Sequence, residues 1–336
     1  MFKNRSIIFN YTLSLFLLLV FVGTLHAETI TLYSGRSKSL VDPIIQQFEK
    51  ETGIEVKVSY ANTTQLAAKL LTEGKKSPAA LFWAQDAGAL GAVSKEKLFE
   101  KLPKSILNKV PKTFRHDDGY WIATSGRARV LAYSPERVKA EDLPESVFDL
   151  TQSKWRDKVG WAPLNASFQA FVTAMREQVG EKRTEKWLSE MKDNGTKAYP
   201  KNTPIIEALA AGEIDLGLPN HYYLFRLKKG NPKLPVEQTF FKAKDAGNLV
   251  NVAGIGLLKN SDNKKTALKF IEFLLSAKAQ QYFVSEVFEY PVTEGVIPNT
   301  NLLPLEELLK IVPKFDLNEM DDLEGTIKLL RRAGIM

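Results

Sequence analysis

Cysteine is absent from the 336 residues. The chain therefore has no disulfide, no thiolate nucleophile, no cysteine-ligated metal and no amino-terminal cysteine to carry a lipid. Histidine is nearly as scarce: there are three, and His26 lies in an apolar amino-terminal stretch, leaving His116 and His221. Two histidines exclude a three-histidine metal centre and give a serine triad few choices. Catalytic and nucleotide signatures are missing as well. There is no G-x-S-x-G elbow, and Ser125 within Thr124-Ser125-Gly126-Arg127 does not form one. Neither a P-loop nor a G-x-G-x-x-G run is present, and Asp117-Asp118 reads as a solvated loop pair. Without a nucleophile–base spacing, no enzyme is expected. Lys and Arg number 46 against 39 Asp and Glu, but the excess is spread along the chain and never forms an aromatic-studded basic stripe. Nucleic acid is not an expected partner.

The amino terminus has a recognisable design. Lys3 and Arg5 precede the apolar run Leu13 to Val22, followed by Gly23-Thr24-Leu25-His26-Ala27. That order of charged, apolar and small residues predicts an export signal cut after Ala27, and the run is short for a membrane span. A freely soluble protein of the periplasm is expected, monomeric and with no membrane insertion after cleavage. The remaining length suits two lobes, and 44% apolar with 25% charged residues is ordinary for a soluble globular protein.

Hydrophobic periodicity then gives the class. Thr29 to Tyr33 alternates as a strand, Val41, Ile44, Ile45 and Phe48 recur at helical spacing up to Gly53, and Ile54 to Tyr60 alternates again. This βαβ order predicts an α/β fold with a parallel sheet. A helix is expected over Thr63 to Glu73 and a buried strand over Ala80 to Ala84. Three strand ends then present Arg36-Ser37, Asn62-Thr63 and Gln85-Asp86 on one edge. A second α/β series follows a strand expected at Ala128 to Tyr133. It includes a helix opened by Asn165-Ala166-Ser167, another from Thr203-Pro204 to about Gly212, and a strand at Ile214 to Leu218. Leu249 to Leu258 reads as a long apolar strand that returns to the first lobe, with a helix from Lys265 to Leu275 after it. Chain crossings near Arg127 to Tyr133 and Leu249 to Val252 predict paired hinge segments between lobes. The expected division is a signal at 1–27, an N-terminal lobe from 28–127 and 253–300, and a C-terminal lobe from 128–252 and 301–336.

The chemistry concentrates in Asn220-His221-Tyr222-Tyr223. A phenol stays protonated at neutral pH and ionises readily beside a hard, highly charged cation, much as a metal deprotonates a bound thiol. Two neighbouring phenols at the carboxyl end of a strand, where open α/β sheets bind ligands, point to Fe(III). The plainer reading is a pair of interfacial aromatics with wet hydroxyls. Asn165, Ala166 and Ser167 open a helix whose free N–H groups suit an anion, and Arg127 or Arg36 would add charge to it. Carbonate or phosphate would fill coordination positions that the protein leaves open. His221 reads as a supporting loop residue and not a ligand.

Over nearly all of the mature chain the sequence resembles the periplasmic ferric iron-binding proteins, the substrate-binding components of Fe(III) ABC transporters. The segments that carry the resemblance include Leu32-Tyr33-Ser34-Gly35-Arg36, Ser77 to Trp83, Ser125-Gly126-Arg127-Ala128-Arg129 and, most specifically, Asn220 to Tyr223. The resemblance implies a two-lobed periplasmic-binding-protein fold with hinge strands. It implies Tyr222 and Tyr223 as phenolate ligands, a synergistic anion at Arg127 with Asn165, Ala166 and Ser167, and Asn202 and Asn220 close by. Delivery to an inner-membrane ABC permease follows from it. Three positions depart from family patterns: Ser37 stands where some members have histidine, Gln85 where they have glutamate, and Phe168 where others have a third tyrosine. Gln85 or Asp86 is then the first-lobe metal candidate, with Arg36 and Ser37 at the anion. The alternative is the same fold binding a phosphorylated sugar or an organophosphonate without metal.

Overall fold

The computed structural model describes residues 28–336; the expected export signal at 1–27 lies outside them. Ile30 and Leu32 alternate with half-buried threonines along β1 (Thr29–Ser34), so one face of the strand meets the core. The following helix, Lys38–Thr52, buries Leu40, Val41, Ile44, Ile45 and Phe48, and ends where Gly53 adopts φ 71° and returns its N–H to Glu49 O. Strand β2 (Glu55–Tyr60) lies parallel to β1, as does β3 (Leu81–Ala84) on its other side. The helix Thr63–Glu73 fills the connection between them, with the Asn62 side chain accepting the Thr64 N–H at its start.

Strand β4 (Ile122–Ala128) completes the first lobe's sheet at one edge, and the chain then passes through Arg129 and Val130 into β5 (Leu131–Tyr133) of the second lobe. The expected strand at Ala128 to Tyr133 is therefore split: its second half is β5, and Ala128 closes the longer strand β4. The polar centre of β4, Thr124-Ser125-Gly126-Arg127, is nonetheless buried and so escapes a reading based on apolar alternation. The second sheet also contains β6 (Val159–Trp161), β7 (Lys197–Ala198), β8 (Leu216–Gly217) and β9 (Glu237–Thr239), in the order β7-β6-β8-β5-β9. The expected strand Ile214 to Leu218 shortens to the two residues of β8, because Gly212 and Pro219 leave little extended chain between two helices.

The return crossing is β10 (Val250–Leu257), which inserts between β3 and β4 and runs antiparallel to both. The first sheet, β2-β1-β3-β10-β4, is mixed for this reason and not purely parallel. At the crossing Val250 faces Ala128, and the Arg129 N–H bonds Leu249 O at 2.8 Å, so the two connecting segments lie side by side. Two lobes joined by paired strands result.

The last segment runs over both lobes. Ile311 O accepts the Lys244 N–H at 2.8 Å, Asn318 bonds Arg115 O and the Asp117 N–H, and Asp321 pairs with Lys95 of the helix Ala87–Lys95. A Cβ on Gly91 would come within 3.0 Å of Asp321 Cβ, so that helix must present a glycine to the crossing chain. The helix Leu323–Arg332 then seats on the second lobe, where Thr326 meets Thr173 at 2.7 Å and Asp322 meets Arg176 at 2.8 Å.

Candidate functional site

Strand β8 is followed by Leu218 and Pro219, and the helix Tyr222–Gly230 begins almost at once, so both tyrosines occupy its first turn. Their rings stack at 4.3 Å between centroids with 29° between planes. Tyr222 is fully buried and Tyr223 half-buried. Burial pushes the Tyr222 phenol well above its ordinary value, and the neighbouring Tyr223 and Glu289 push the same way, while Arg127 and Arg36 oppose them. A buried phenol facing guanidinium groups is one that only a strong positive charge would ionise.

His221 between Asn220 and the tyrosines is fully committed elsewhere. Its Nδ1 accepts the Ala128 N–H at 3.0 Å, and Nε2–H donates to Phe288 O at 2.7 Å. Burial pulls its imidazole down to about 4, so the ring is neutral and ties the helix start to the end of β4. Asn220 is bridged to Arg129, and its N–H bonds Asn202 Oδ1 at 3.1 Å. Both asparagines are buried, and the Nδ2 of each has no protein partner.

Three arginines sit behind the tyrosines, each nearly fully buried. Arg36 is spent on Glu289, with two bonds of 2.8 Å, and Ser125 Oγ donates to the same carboxylate at 2.5 Å. Burial alone would raise Glu289, but Arg36, Ser125 and Arg127 outweigh it and hold the carboxyl below its usual range. Arg127 differs: burial lowers it, Tyr222, Asp86 and Glu289 support its charge, and both of its terminal nitrogens lack a hydrogen-bond partner. Arg129 donates to Leu218 O at 2.5 Å and Ser167 O at 2.6 Å and lies over the rings of Phe168 and Phe171. Burial, reinforced by Arg127, brings it down to about 9.

The candidates thus separate. Arg36 serves Glu289, and it is Arg129 that contacts the start of the helix Ala166–Val179 through Ser167 O. Asn165 caps that helix, its Oδ1 accepting the Ser167 N–H at 3.0 Å and hydroxyl at 2.7 Å, while Ala166 is buried in the first turn. Ser37 is exposed at the start of the helix Lys38–Thr52 and makes no capping bond. Asp86 is buried; its Oδ1 caps the helix Ala87–Lys95 through the Ala89 N–H at 3.0 Å, and Oδ2 has no partner. Burial raises its carboxyl, against the pull of Arg127. Gln85 crosses from the first lobe, donating Nε2–H to Tyr222 Oη at 2.9 Å. Thr64 Oγ1 crosses beside it to Gln169 Oε1, also at 2.9 Å, so the two edges meet.

Sequence reasoning passed over Glu289, Thr64, Gln169 and the contact between Arg129 and Ser167. The one available signal was the i, i+2 spacing of Arg127 and Arg129, which in a strand sends both side chains to one face.

Among known proteins, residues 43–302 match the model of the bacterial extracellular solute-binding protein family. The major ferric iron-binding protein of Neisseria meningitidis is 34% identical over 313 residues, which is 91% of this chain and 93% of that one. An Fe(3+)-binding periplasmic protein of Serratia marcescens is 33% identical, over 92% and 91% of the two chains. Among solved structures, iron-bound HitA from Pseudomonas aeruginosa superposes with a TM-score of 0.87 at 32% identity, covering 91% of this chain and 99% of HitA. The two lobes, the paired crossings and these relatives agree: the chain belongs to the bacterial extracellular solute-binding proteins, in their ferric iron-binding group.

Proposed function

We propose that this protein captures Fe(III) in the periplasm, together with a small anion, and delivers it to an inner-membrane ABC permease. It is a binding protein and not an enzyme. The observation that carries the reading is the stacked Tyr222–Tyr223 pair in the first turn of a helix at the cleft, with the Tyr222 phenol buried against Arg127 and Arg36. Two phenolates form a hard, oxygen-rich donor set suited to Fe(III), and their ionisation is driven by the ion itself. Asp86, with a buried Oδ2 that has no partner, is the first-lobe carboxylate available to the same ion.

Charge supports the anion. Glu289 neutralises Arg36, whereas Arg127 and Arg129 make no hydrogen bond to any carboxylate among the described residues. A trivalent cation with two phenolates adds one further positive charge to this surrounding, and carbonate or phosphate would offset it. Arg127, the helix start Asn165–Ser167 and the free amides of Asn202 and Asn220 would hold that anion. The names of the relatives support both the ion and the compartment. Among the described residues no helix is long and apolar enough to cross a membrane.

The test is a visible spectrum of chelator-stripped protein titrated with ferric citrate in bicarbonate buffer. A phenolate-to-iron band saturating near one equivalent is expected, and Y222F/Y223F should abolish it. A parent protein that stays colourless and gains no thermal stability from iron, yet binds a phosphate ester tightly, would replace this reading with the metal-free alternative.

A further inference from the structure

The first lobe reaches Tyr222 through an amide and not through a carboxylate. Gln85 Nε2–H donates to Tyr222 Oη at 2.9 Å, and the contact is buried. A nitrogen already donating its proton has no lone pair for a metal, whereas a phenolate oxygen accepts further hydrogen bonds while coordinated. Gln85 is also braced. Its N–H bonds Thr63 Oγ1 at 3.1 Å, and that hydroxyl donates to Gly35 O at 3.2 Å. The Gly35 N–H in turn bonds Trp83 O at 2.8 Å. A Cβ on Gly35 would lie 2.0 Å from Thr63 Oγ1, so glycine at this position is what lets the hydroxyl join the strand ends.

We propose that Gln85 is a positioning residue: its amide N–H fixes the Tyr222 oxygen from the opposite lobe and makes closure of the cleft follow iron binding. The proposal rests on the reading of Tyr222 as an iron-binding phenolate. A hydrogen bond to an ionised acceptor is about twice as strong as one to a neutral acceptor. Iron converts the phenol to a phenolate, so it strengthens a bond that exists only when the lobes are together. Opening the cleft must break that bond, and the brace through Thr63 holds the Gln85 backbone at the first-lobe strand ends. Gln85 therefore lets the first lobe respond to the metal without adding charge of its own.

The test compares parent, Gln85→Met and Gln85→Glu, each stripped, reloaded with ferric citrate in bicarbonate and checked for an unchanged thermal midpoint without iron. Gln85→Met should still bind one iron. Its charge-transfer band should move to longer wavelength, because the phenolate loses a stabilising donor, and excess chelator should remove iron about 10- to 100-fold faster, the usual cost of losing a group that hydrogen-bonds a ligand. Gln85→Glu removes the same donor and should also release iron faster than the parent. Band position and release rate unchanged in Gln85→Met would overturn the proposal. So would tighter iron binding by Gln85→Glu, which would place position 85 among the ligands. Both failures are read in a coloured protein, whereas a colourless parent overturns the iron reading and this proposal together.

Discussion

On the first-lobe edge of the cleft most polar groups are spent inside the lobe. Arg36 is held by Glu289, which also accepts the Ser125 hydroxyl, and Thr63 joins the ends of three strands. On the second-lobe edge the amide nitrogens of Asn202 and Asn220 are buried without partners, beside a fully buried phenol. Buried polar groups are nearly always paired, so the unpaired ones mark where a ligand can engage. The first-lobe edge is braced like a jaw and leaves open the Arg127 guanidinium and Asp86 Oδ2, whereas the second-lobe edge offers the two amides beside the phenols.

The largest expected effect lies in the jaw. Glu289→Ala leaves Arg36 charged, buried and unpaired, and should cost about 3–5 kcal/mol of stability, read by urea denaturation of the iron-free protein. A loss below about 1 kcal/mol would show that the first-lobe edge is not held by this pair, and the contrast between the edges would lose its basis. The carboxyl's lowered range adds a sign: its contribution is present above the ordinary carboxylate range and disappears as pH falls through and below it.

The seam comes next. His221 is pulled down to about 4 from an ordinary value near 6.5, mainly by burial. Between those values the unfolded chain takes up a proton that the folded ring refuses, so stability falls as pH drops through the window. At about 1.4 kcal/mol per pH unit the loss is on the order of 3 kcal/mol by pH 4. Melting curves of His221→Gln across this window should slope less than those of the parent. The slope that remains would include His116, which burial also lowers.

The smallest effect tests the meeting of the edges. Thr64→Val removes the bond to Gln169 and should cost about 1 kcal/mol of the closed form only. Iron-free stability should barely change, while chelator strips iron roughly fivefold faster, the rate equivalent of that energy. Equal loss in both states would mean that the contact supports the fold and not closure.

Much of this arrangement was legible in the sequence because it is written locally. The helix Thr63–Glu73 occupies the residues that its periodicity and Gly74 predict, and the tyrosines are adjacent in the chain. What stayed hidden depends on distant partners. The centre of β4 carries Thr124, Ser125 and Arg127, and such a run reads as a loop until Glu289, 164 residues from Ser125, is brought against it. Arg129 is likewise uninformative alone, since its partners are carbonyl oxygens at positions 218 and 167. Gln85 reads as a depleted ligand site until its amide is seen on the phenol.

The insertion of β10 between β3 and β4 has a consequence for the order of assembly. Pairing β3 with its neighbour requires residues 254–257, more than 160 positions further along the chain. A chain presented from its amino terminus can form β1, β2 and β3 early, but its first sheet stays open until the second lobe has been traversed. Such non-local pairing slows folding. The nascent first lobe is thus an incomplete sheet with unpaired edges, and the interval before β10 arrives is when the molecule is most exposed to aggregation and most in need of a holding chaperone.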